Sequence, residues 1–262
     1  MSRAVQSELL EQRITENAAA QQIDLATWIF ERVRVRPGVD VLELCCGTGG
    51  QTLTLLDRVG ETGSVVALDI SKTALETLRS KAGPENSSRL VCVESRLEDF
   101  PSAIEQCEAR ATKFDLIFCA YGLYYSSDST NTLQQAKAHL KTAGSIVVVG
   151  PFGPNNNQLF DLVRSSGVEL SSAVIDSSET FMLQTVLPWS ARNFESLSVH
   201  TMVNPVRWNT SERVLNYWKN TTFYNAQKQR NFEELLNRHF ERHAEFINEK
   251  WVMLMEMSHA RG

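Results

Sequence analysis

The sequence contains no long hydrophobic run and no excess of basic residues. No stretch of its 262 residues approaches the roughly 18 consecutive apolar residues of a membrane-spanning helix. The N-terminal segment is polar and has no apolar signal-peptide core, so we expect a cytoplasmic protein with no membrane partner. The 31 acidic and 26 basic residues give a net charge of −5, and no dense basic run occurs. Because such a chain does not attract polyanions, we expect no nucleic-acid partner.

The cysteines and histidines do not have the spacing of a metal site. The five cysteines include no C-x-x-C pair, and adjacent Cys45 and Cys46 lack the separation of about two to four residues that structural zinc ligands usually have. His239 and His243 share a helical face, but no third ligand pattern accompanies them. We therefore predict free thiols in a reducing compartment and no metal.

The most informative stretch predicts a strand, a glycine turn, a helix and a second strand. The apolar segment VDVLEL fits a short buried strand, and Gly47 and Gly49 give the backbone freedom that a sharp turn needs. Thr52–Val59 has apolar residues at helical spacing, so free amides at the helix start should point at whatever binds over the glycines. A second strand, Ser64–Leu68, is followed by Asp69, whose carboxylate can accept both hydroxyls of a ribose. This pattern predicts a nucleotide-binding unit.

Two departures from the dinucleotide fingerprint indicate which nucleotide binds. Thr52 stands where the third glycine of G-x-G-x-x-G would let the helix pack closely on the strand, so NAD is disfavoured. Glu43 ends the first strand beside the loop, where its carboxylate would repel a pyrophosphate and attract a cation. These residues resemble the first motif of the class I S-adenosylmethionine-dependent methyltransferases, whose cofactor carries a sulfonium and an ammonium group.

The resemblance implies how the cofactor lies along this stretch. Glu43 is near its methionine end, and Asp69 binds its ribose. Cys45 departs from the family, which usually has its first glycine there, so the turn must accommodate a small thiol. The cofactor-binding residues implied here are Glu43, Cys45, Gly47, Thr48, Gly49, Asp69 and Ile70.

Later motifs continue the resemblance in the family's order. A third strand over residues 90–93 precedes Glu94–Pro101, which stands in place of the adenine-binding turn but lacks its usual aspartate. Ser95, Arg96 and Leu97 occupy that region, so Ser95 or backbone carbonyls are expected to bind the adenine amine.

The fourth and fifth strands also match the family. Lys113–Ala120 matches the fourth strand, and the resemblance places Cys119 and Ala120 at its end, facing the methyl group. Leu140–Val149 matches the turn into the fifth strand.

The acceptor site is expected at the carboxyl ends of the strands. Methyl transfer is an in-line displacement that depends mainly on positioning, so no catalytic residue is assigned; Tyr121 and His200 are candidates, the latter as a base. Tyr124 and Tyr125 either line the pocket or are core aromatic residues. The predicted acceptor-binding residues are Tyr121, Tyr124, Tyr125, Phe152, Asn155, Phe223 and Tyr224.

The pattern changes after Gly150. Serine-rich Ser165–Thr180 predicts a mobile connection. The other elements predicted in this half are a loop over Pro151–Asn157, helices over Gln158–Ser165, Ser211–Asn220 and Arg230–Arg242, and strands over Phe194–Trp208 and Lys250–Met257. We expect the helical pair between the last two strands to act as a lid that recognises the acceptor.

The fold class that follows is α/β. It is a Rossmann-like, doubly wound, seven-stranded and mostly parallel sheet with an antiparallel last strand, N-terminal helices and a helical insertion before that strand. The predicted organisation is a helical cap segment at 1–36, a cofactor-binding core at 37–150, and the second half of the sheet at 151–262 with a lid at about 209–243. Leu9, Leu10, Ile14 and Leu25 form an apolar face that packs on this domain or on a second copy in a homodimer.

The function that follows is transfer of a methyl group from S-adenosylmethionine, leaving S-adenosylhomocysteine, to a small biosynthetic or secondary-metabolite acceptor. One alternative is methylation of a protein or tRNA. Another is a regulatory or partner protein that binds the cofactor without turnover, consistent with Cys45, the missing adenine aspartate and the lack of an obvious base. A nicotinamide oxidoreductase is the third.

Overall fold

The computed structural model describes residues 12, 15–17, 19–107 and 111–261. Leu9, Leu10 and Ile14 of the predicted apolar face lie outside the described residues, whereas Leu25 begins a helix. No helix within the described ranges is long and apolar enough to cross a membrane.

The described residues form a seven-stranded sheet in the order β3-β2-β1-β4-β5-β7-β6. Neighbouring strands from β3 to β5 are parallel, and β7 pairs antiparallel to its neighbours, as predicted. The strands are β1 (Asp40–Leu44), β2 (Ser64–Asp69), β3 (Leu90–Glu94), β4 (Phe114–Ala120), β5 (Leu140–Pro151), β6 (Phe194–Trp208) and β7 (Phe246–Ala260).

Helices connect the parallel strands. Ser71 caps α3 by accepting a hydrogen bond from the backbone amide of Ala74, and Thr210 caps α9 by accepting one from Arg213. The described helices are α1 (Leu25–Phe30), α2 (Thr52–Val59), α3 (Lys72–Ala82), α4 (Phe100–Gln106), α5 (Ser129–Ala138), α6 (Asn157–Ser165), α7 (Ser172–Ile175), α8 (Leu187–Asn193), α9 (Ser211–Lys219) and α10 (Gln229–Phe240).

The order of the strands determines where a ligand can bind. From β1 the chain proceeds through β2 and β3 on one side, and then returns to place β4 and β5 on the other side of β1. The reversal leaves a crevice beyond the carboxyl ends of β1 and β4, which is where open α/β sheets bind ligands. Leu44, the last residue of β1, is in register with Cys119 of β4. The glycine loop and the predicted methyl-facing residues therefore lie at the same end of adjacent strands.

The chain divides into two compact units, which we call the core unit and the insertion unit. The core unit comprises Ala26–Gly150, Met182–His200 and Met253–Gly262. The insertion unit comprises the described part of Met1–Leu25 together with Pro151–Phe181 and Thr201–Val252. The predicted boundaries at 36/37 and 150/151 and the lid at 209–243 stay predictions.

Each unit has its own apolar interior. In the core unit, β2 is buried from Ser64 to Leu68, which is typical of a parallel strand covered on both faces. In the insertion unit, Trp218 stacks on Phe232 with ring centroids 4.1 Å apart, and Trp208 lies 5.0 Å from the ring of Tyr217. Both indoles are fully buried.

Part of the predicted connection over Ser165–Thr180 is helical in the structure, and its mobility stays a prediction. The side chain of Ser171 accepts a hydrogen bond from the Val174 amide and starts α7, which is followed by a π-helical stretch, Asp176–Thr180. Serine favours helix caps as well as loops, so composition did not distinguish the two.

The second half also differs from the predictions at the ends of elements. The last strand begins at Phe246 instead of Lys250 and includes the polar residue Asn248. The buried Asn248 side chain accepts from the Leu159 amide and donates to Asn156, so its polar atoms are satisfied inside the unit. The second inserted helix begins at Gln229 rather than Arg230.

Candidate active site

The loop after β1 is shaped by three residues with left-handed backbone angles. Cys45, Gly47 and Gly49 have φ values of 59°, 54° and 88°. A Cβ atom on Gly49 would come within 2.4 Å of Leu78 Cδ1, whereas one on Gly47 would meet no described atom within 4 Å. The loop is thus closely packed at Gly49 and open at Gly47, so a ligand can approach the backbone at Gly47. Lys81 of α3 contacts Thr48: its Nζ donates to the Thr48 carbonyl and hydroxyl at 3.3 and 3.2 Å.

Asp69 links this loop to the end of β2. Its Oδ2 accepts from the Gly47 amide at 2.8 Å, and its Oδ1 accepts from the Ser71 amide at 2.9 Å. Each carboxylate oxygen has a second lone pair, so the hydroxyls of a ribose can bind while the loop stays attached. Ile70 follows with 47% of its surface exposed and can contact a ligand without rearrangement.

Glu43 is a buried carboxyl group at the end of β1. Only 2% of the residue is exposed, and its Oε2 atom has no hydrogen-bond partner among the described residues. Burial raises the pKa of Glu43 to about 8; the nearby Thr52 hydroxyl opposes this shift, and the charge of Asp69 adds to it. Glu43 is therefore mostly protonated at neutral pH. A buried carboxyl with an unused oxygen suits an ammonium or sulfonium group, because a cation would favour its ionised form.

The end of β4 lies against the glycine loop. Tyr121 follows β4 with a φ of 57°, and its amide donates to the Val149 carbonyl at 2.8 Å. The next residue, Gly122, packs on Cys45: a Cβ atom there would lie 2.3 Å from Cys45 Cβ and 2.6 Å from Cys45 Sγ. Cys45 and Tyr121 are both non-glycine residues in a strained conformation, which is common at functional sites.

The turn after β3 is connected to both neighbouring loops. The Ser95 amide donates to the backbone carbonyl of Asp69 at 3.1 Å, and the Ser95 hydroxyl donates to the carbonyl of Arg96 at 3.0 Å. Leu97 is buried and packs inside the unit. The turn that contains Ser95 and Arg96 is thus next to Asp69, the predicted ribose-binding residue, and the role of the turn toward adenine stays a prediction.

Glu98 was not predicted from the sequence as a site residue. Its Oε1 accepts from the Ser127 amide at 2.6 Å and from the Ser127 hydroxyl at 2.9 Å, and Oε2 lies 3.4 Å from Nε of Arg96. The hydrogen bond from the Ser127 amide is the main cause that lowers the pKa of Glu98 to about 2. Glu98 therefore fixes the turn after β3 to the segment after β4. No local pattern indicates a contact between residues this far apart.

The three tyrosines after β4 have different environments. Tyr121 directly follows Ala120 at the end of the strand, beside the Cys45 loop. Tyr124 and Tyr125 lie in a short 3₁₀ helix, with their ring centroids 4.7 Å apart, and Tyr125 is 51% exposed. Tyr121 is therefore better placed than Tyr125 to orient an acceptor.

The other predicted acceptor-binding residues belong to the insertion unit, where they make internal contacts. Asn155 is buried; it donates to Ser178 Oγ and accepts from the Trp251 amide, so its amide group is already used. The ring contacts of the remaining three are those of Phe152 with Trp251, Phe223 with Phe160, and Tyr224 with Trp218. Their role toward an acceptor stays a prediction.

The histidine candidates are not part of the loops that follow β1, β2 and β4. His200 is in the exposed middle of β6, within 3.1 Å of Ser198 Oγ, and β5 and β7 separate β6 from β4 in the sheet. The structure therefore does not bring His200 together with the cofactor residues. His239 and His243 have ring centroids 4.6 Å apart, but no group of three or more metal-ligating side chains occurs in the part of the chain that the structure describes.

A cavity of about 300 Å³ lies at the opposite end of the strands, near Arg34, Arg36, Asp115, Glu256 and His259. It contains none of the predicted cofactor residues. We assign the site to the carboxyl ends of β1, β2 and β4 instead, because the buried carboxyl group and the open glycine are there.

Comparison with known sequences identifies the family. The sequence profile of the methyltransferase domain family matches residues 36–236. The chain belongs to this family. It is 33% identical over 124 residues to the 2-phytyl-1,4-naphthoquinone methyltransferase of Trichormus variabilis, covering 47% of this chain and 51% of that protein. It is 30% identical over 128 residues to the demethylmenaquinone methyltransferase of Lactococcus lactis, covering 48% of each. The chain thus spans about half the length of these curated relatives.

Solved structures show the same fold. The Haemonchus contortus phosphoethanolamine N-methyltransferase 2, in complex with phosphomonomethylethanolamine and S-adenosylhomocysteine, superposes with a TM-score of 0.53 at 13% identity, covering 89% of this chain and 52% of that one. This methyltransferase domain is of the S-adenosylmethionine-dependent class. Its residues fit that cofactor: Glu43 offers an unused buried oxygen, Gly47 an open backbone, and Asp69 a carboxylate.

Proposed function

We propose that this methyltransferase acts on a small aromatic acceptor of the quinone class, in its reduced hydroquinone form. Support for the acceptor class comes from the two curated relatives, whose names specify naphthoquinone and menaquinone substrates. A hydroquinone has electron-rich ring carbons and hydroxyl oxygens, whereas an oxidised quinone is electron-poor. The reduced form is therefore the nucleophile that a sulfonium methyl group requires.

Methyl transfer from S-adenosylmethionine is the part of the proposal that the site supports, through the arrangement of Glu43, Gly47 and Asp69 at the strand reversal. When bound, S-adenosylmethionine supplies an electrophilic methyl group. Asp69 accepts hydrogen bonds from the ribose, and Glu43 balances the positive charge at the methionine end. Tyr121 borders the end of β4, and its hydroxyl group orients the acceptor by a hydrogen bond, while the proton that the acceptor loses passes to solvent. Most of the rate enhancement then comes from alignment and exclusion of water.

The proposal is tested by product formation from a short-chain demethylated naphthohydroquinone. The protein is incubated with methyl-labelled S-adenosylmethionine and the acceptor under a reductant, and products are resolved by liquid chromatography with mass spectrometry. We expect one methylated product and an equal amount of S-adenosylhomocysteine. Asp69→Ala should remove activity, and Asp57→Ala, the same change at an exposed position on α2, should retain it. Methylation of tRNA or protein in parallel reactions, with none of the hydroquinone, would contradict the proposal.

A second candidate is cofactor binding without turnover. It is supported by the position of His200, the candidate base, on β6, which β5 and β7 separate from β4. It is also supported by Cys45, which stands in place of the family's first glycine. This function requires tight binding of S-adenosylmethionine with no product from any acceptor. A cytoplasmic location, the absence of a nucleic-acid partner and a homodimer stay predictions, which fractionation and analytical ultracentrifugation can test.

A further inference from the structure

Two cysteine thiols meet at the cofactor site. Cys45 directly follows β1 and Cys119 is near the end of β4, and the interaction between their thiols is the main cause that raises the pKa of Cys45. A Cβ atom built on Gly122 would lie 2.6 Å from Cys45 Sγ and 3.4 Å from Cys119 Sγ, so both sulfurs face the same point. Cys45 follows Leu44, which is in register with Cys119 on an adjacent strand. Since neighbouring strands are about 4.8 Å apart, the two backbones are within the range that a disulfide can bridge.

The other cysteines have surroundings that differ from those of Cys45 and Cys119, and the Cys46 thiol has Cys92 in its neighbourhood. Cys46 is adjacent to Cys45 but turns its thiol to the Gly47 carbonyl, at 3.6 Å. Cys107 donates to the carbonyl of Ile104. Cys92 lies on β3, separated from β4 by β2 and β1. The geometry therefore favours one pair, Cys45 with Cys119.

This pair lies where the cofactor must bind. Cys45 belongs to the loop over which the cofactor lies, and Cys119 ends the strand beside it. A bond between the two sulfurs would tie the loop to β4 in the crevice between their ends. That crevice is the space for the methionine end of the cofactor next to Glu43.

We propose that Cys45 and Cys119 form a reversible disulfide under oxidising conditions, and that this disulfide closes the cofactor site. The proposal concerns the cofactor site and does not depend on which acceptor is methylated.

The chemistry requires an oxidant, which we take to be a peroxide. Cys45 is half-buried whereas Cys119 is buried, so Cys45 is the more accessible of the two. Its sulfur attacks a peroxide oxygen and becomes a sulfenic acid, with water released. The Cys119 sulfur then attacks the sulfenic sulfur, an S–S bond forms, and a second water leaves. Two thiols lose two protons and two electrons in total, and the peroxide accepts both. A dithiol reductant reverses the reaction.

The reaction should be slow in the free protein. The hydrogen bond to Cys119, burial and the negative charge of Asp69 all raise the pKa of the Cys45 thiol above its usual range. Little thiolate is therefore present at neutral pH, and the nucleophile is the thiolate. Bound cofactor would cover the two thiols and slow their oxidation further.

The first experiment locates the bond. The purified protein is treated with hydrogen peroxide, its remaining thiols are alkylated, and peptides are mapped by mass spectrometry without reduction. We expect a cross-link between the peptides that contain Cys45 and Cys119. Because Cys46 shares a peptide with Cys45, the variants Cys46→Ala and Cys45→Ala separate them: the first should retain the cross-link and the second should lose it. A Cys45–Cys46 bond, or no bond at all, would overturn the proposal.

The second experiment measures its effect on the site. Calorimetric titration with S-adenosylhomocysteine is done before oxidation, after it, and after reduction by dithiothreitol. We expect oxidation to weaken binding by at least about tenfold and reduction to restore it. In Cys119→Ala, whatever its initial affinity, oxidation should leave the affinity unchanged. If that variant fails to fold, the rate of cross-linking by peroxide is measured in the wild type instead. Saturating S-adenosylhomocysteine should slow the cross-linking. A cross-linked protein that binds as tightly as the reduced one would overturn the second half of the proposal.

Discussion

The backbone amide of Gly47 donates a 2.8 Å hydrogen bond to Oδ2 of Asp69. This bond joins the glycine loop after β1 to the end of β2, so the residue that would hold the ribose also holds the loop. We therefore expect loop shape and ribose binding to be coupled through this carboxylate.

Replacement of Asp69 by alanine should weaken the binding of S-adenosylhomocysteine by about 10- to 100-fold. Hydrogen bonds to a charged group are worth about 1.5–3 kcal/mol, and Asp69→Ala removes those to the ribose and the tether to Gly47. Asp69→Asn keeps one acceptor oxygen, so its affinity for S-adenosylhomocysteine should fall less than that of Asp69→Ala. Calorimetric titration measures both, with Asp57→Ala as the control. Equal affinity in Asp69→Ala and wild type would place the ribose elsewhere.

Glu43 should make the free protein less stable as the pH rises. Its pKa is about 8 in the folded chain against 4.5 for an ordinary glutamate, so the folded state holds a proton that the unfolded state releases between these values. The free energy of unfolding therefore falls with pH through this window, by up to about 5 kcal/mol. Glu43→Gln cannot titrate, so its free energy of unfolding should lack this fall with pH.

Urea denaturation of wild type and Glu43→Gln at several pH values tests this prediction. The difference in unfolding free energy between the two proteins should shift in favour of the variant between pH 4.5 and pH 8. A difference that does not change with pH would show that Glu43 titrates normally.

Binding of S-adenosylmethionine should release a proton from Glu43. The carboxyl is mostly neutral in the free protein, and the cationic cofactor favours its ionised form. We expect about one proton released per cofactor near pH 7 and tighter binding as the pH approaches 8. Calorimetry in buffers with different ionisation enthalpies counts the protons. Glu43→Gln should release none, and the same release in both proteins would assign the proton to another group.

Gly122→Ala should destabilise the protein through its contact with Cys45. The added Cβ would lie 2.3 Å from Cys45 Cβ, and overpacking of this kind costs about 1–3 kcal/mol. Cys45→Gly removes that atom and suits the φ of 59°, so the double variant should recover much of the lost stability. Gly50→Ala, where the new Cβ meets no described atom within 4 Å, is the control. Additive effects of the two changes in thermal unfolding would contradict this contact.

The strands of the core unit could be located well along the sequence, because they are apolar runs separated by clear turns. Asp69 was found in this way, since it follows such a run at the spacing that a ribose requires. The helical stretch after Ser171 could not be predicted, because serine serves caps and loops equally. The Glu98–Ser127 contact and the Cys45–Cys119 pair were also missed. Each joins segments that become neighbours only when β4 lies beside β1.

The most direct test of the account is calorimetric titration of the purified protein with S-adenosylmethionine and, separately, with NADH. We expect micromolar binding of S-adenosylmethionine and no heat of binding from NADH, because a cation is stabilised by ionisation of Glu43, whereas a pyrophosphate gains nothing from this carboxyl group. Binding of NADH, or of neither compound, would contradict the assignment of this site.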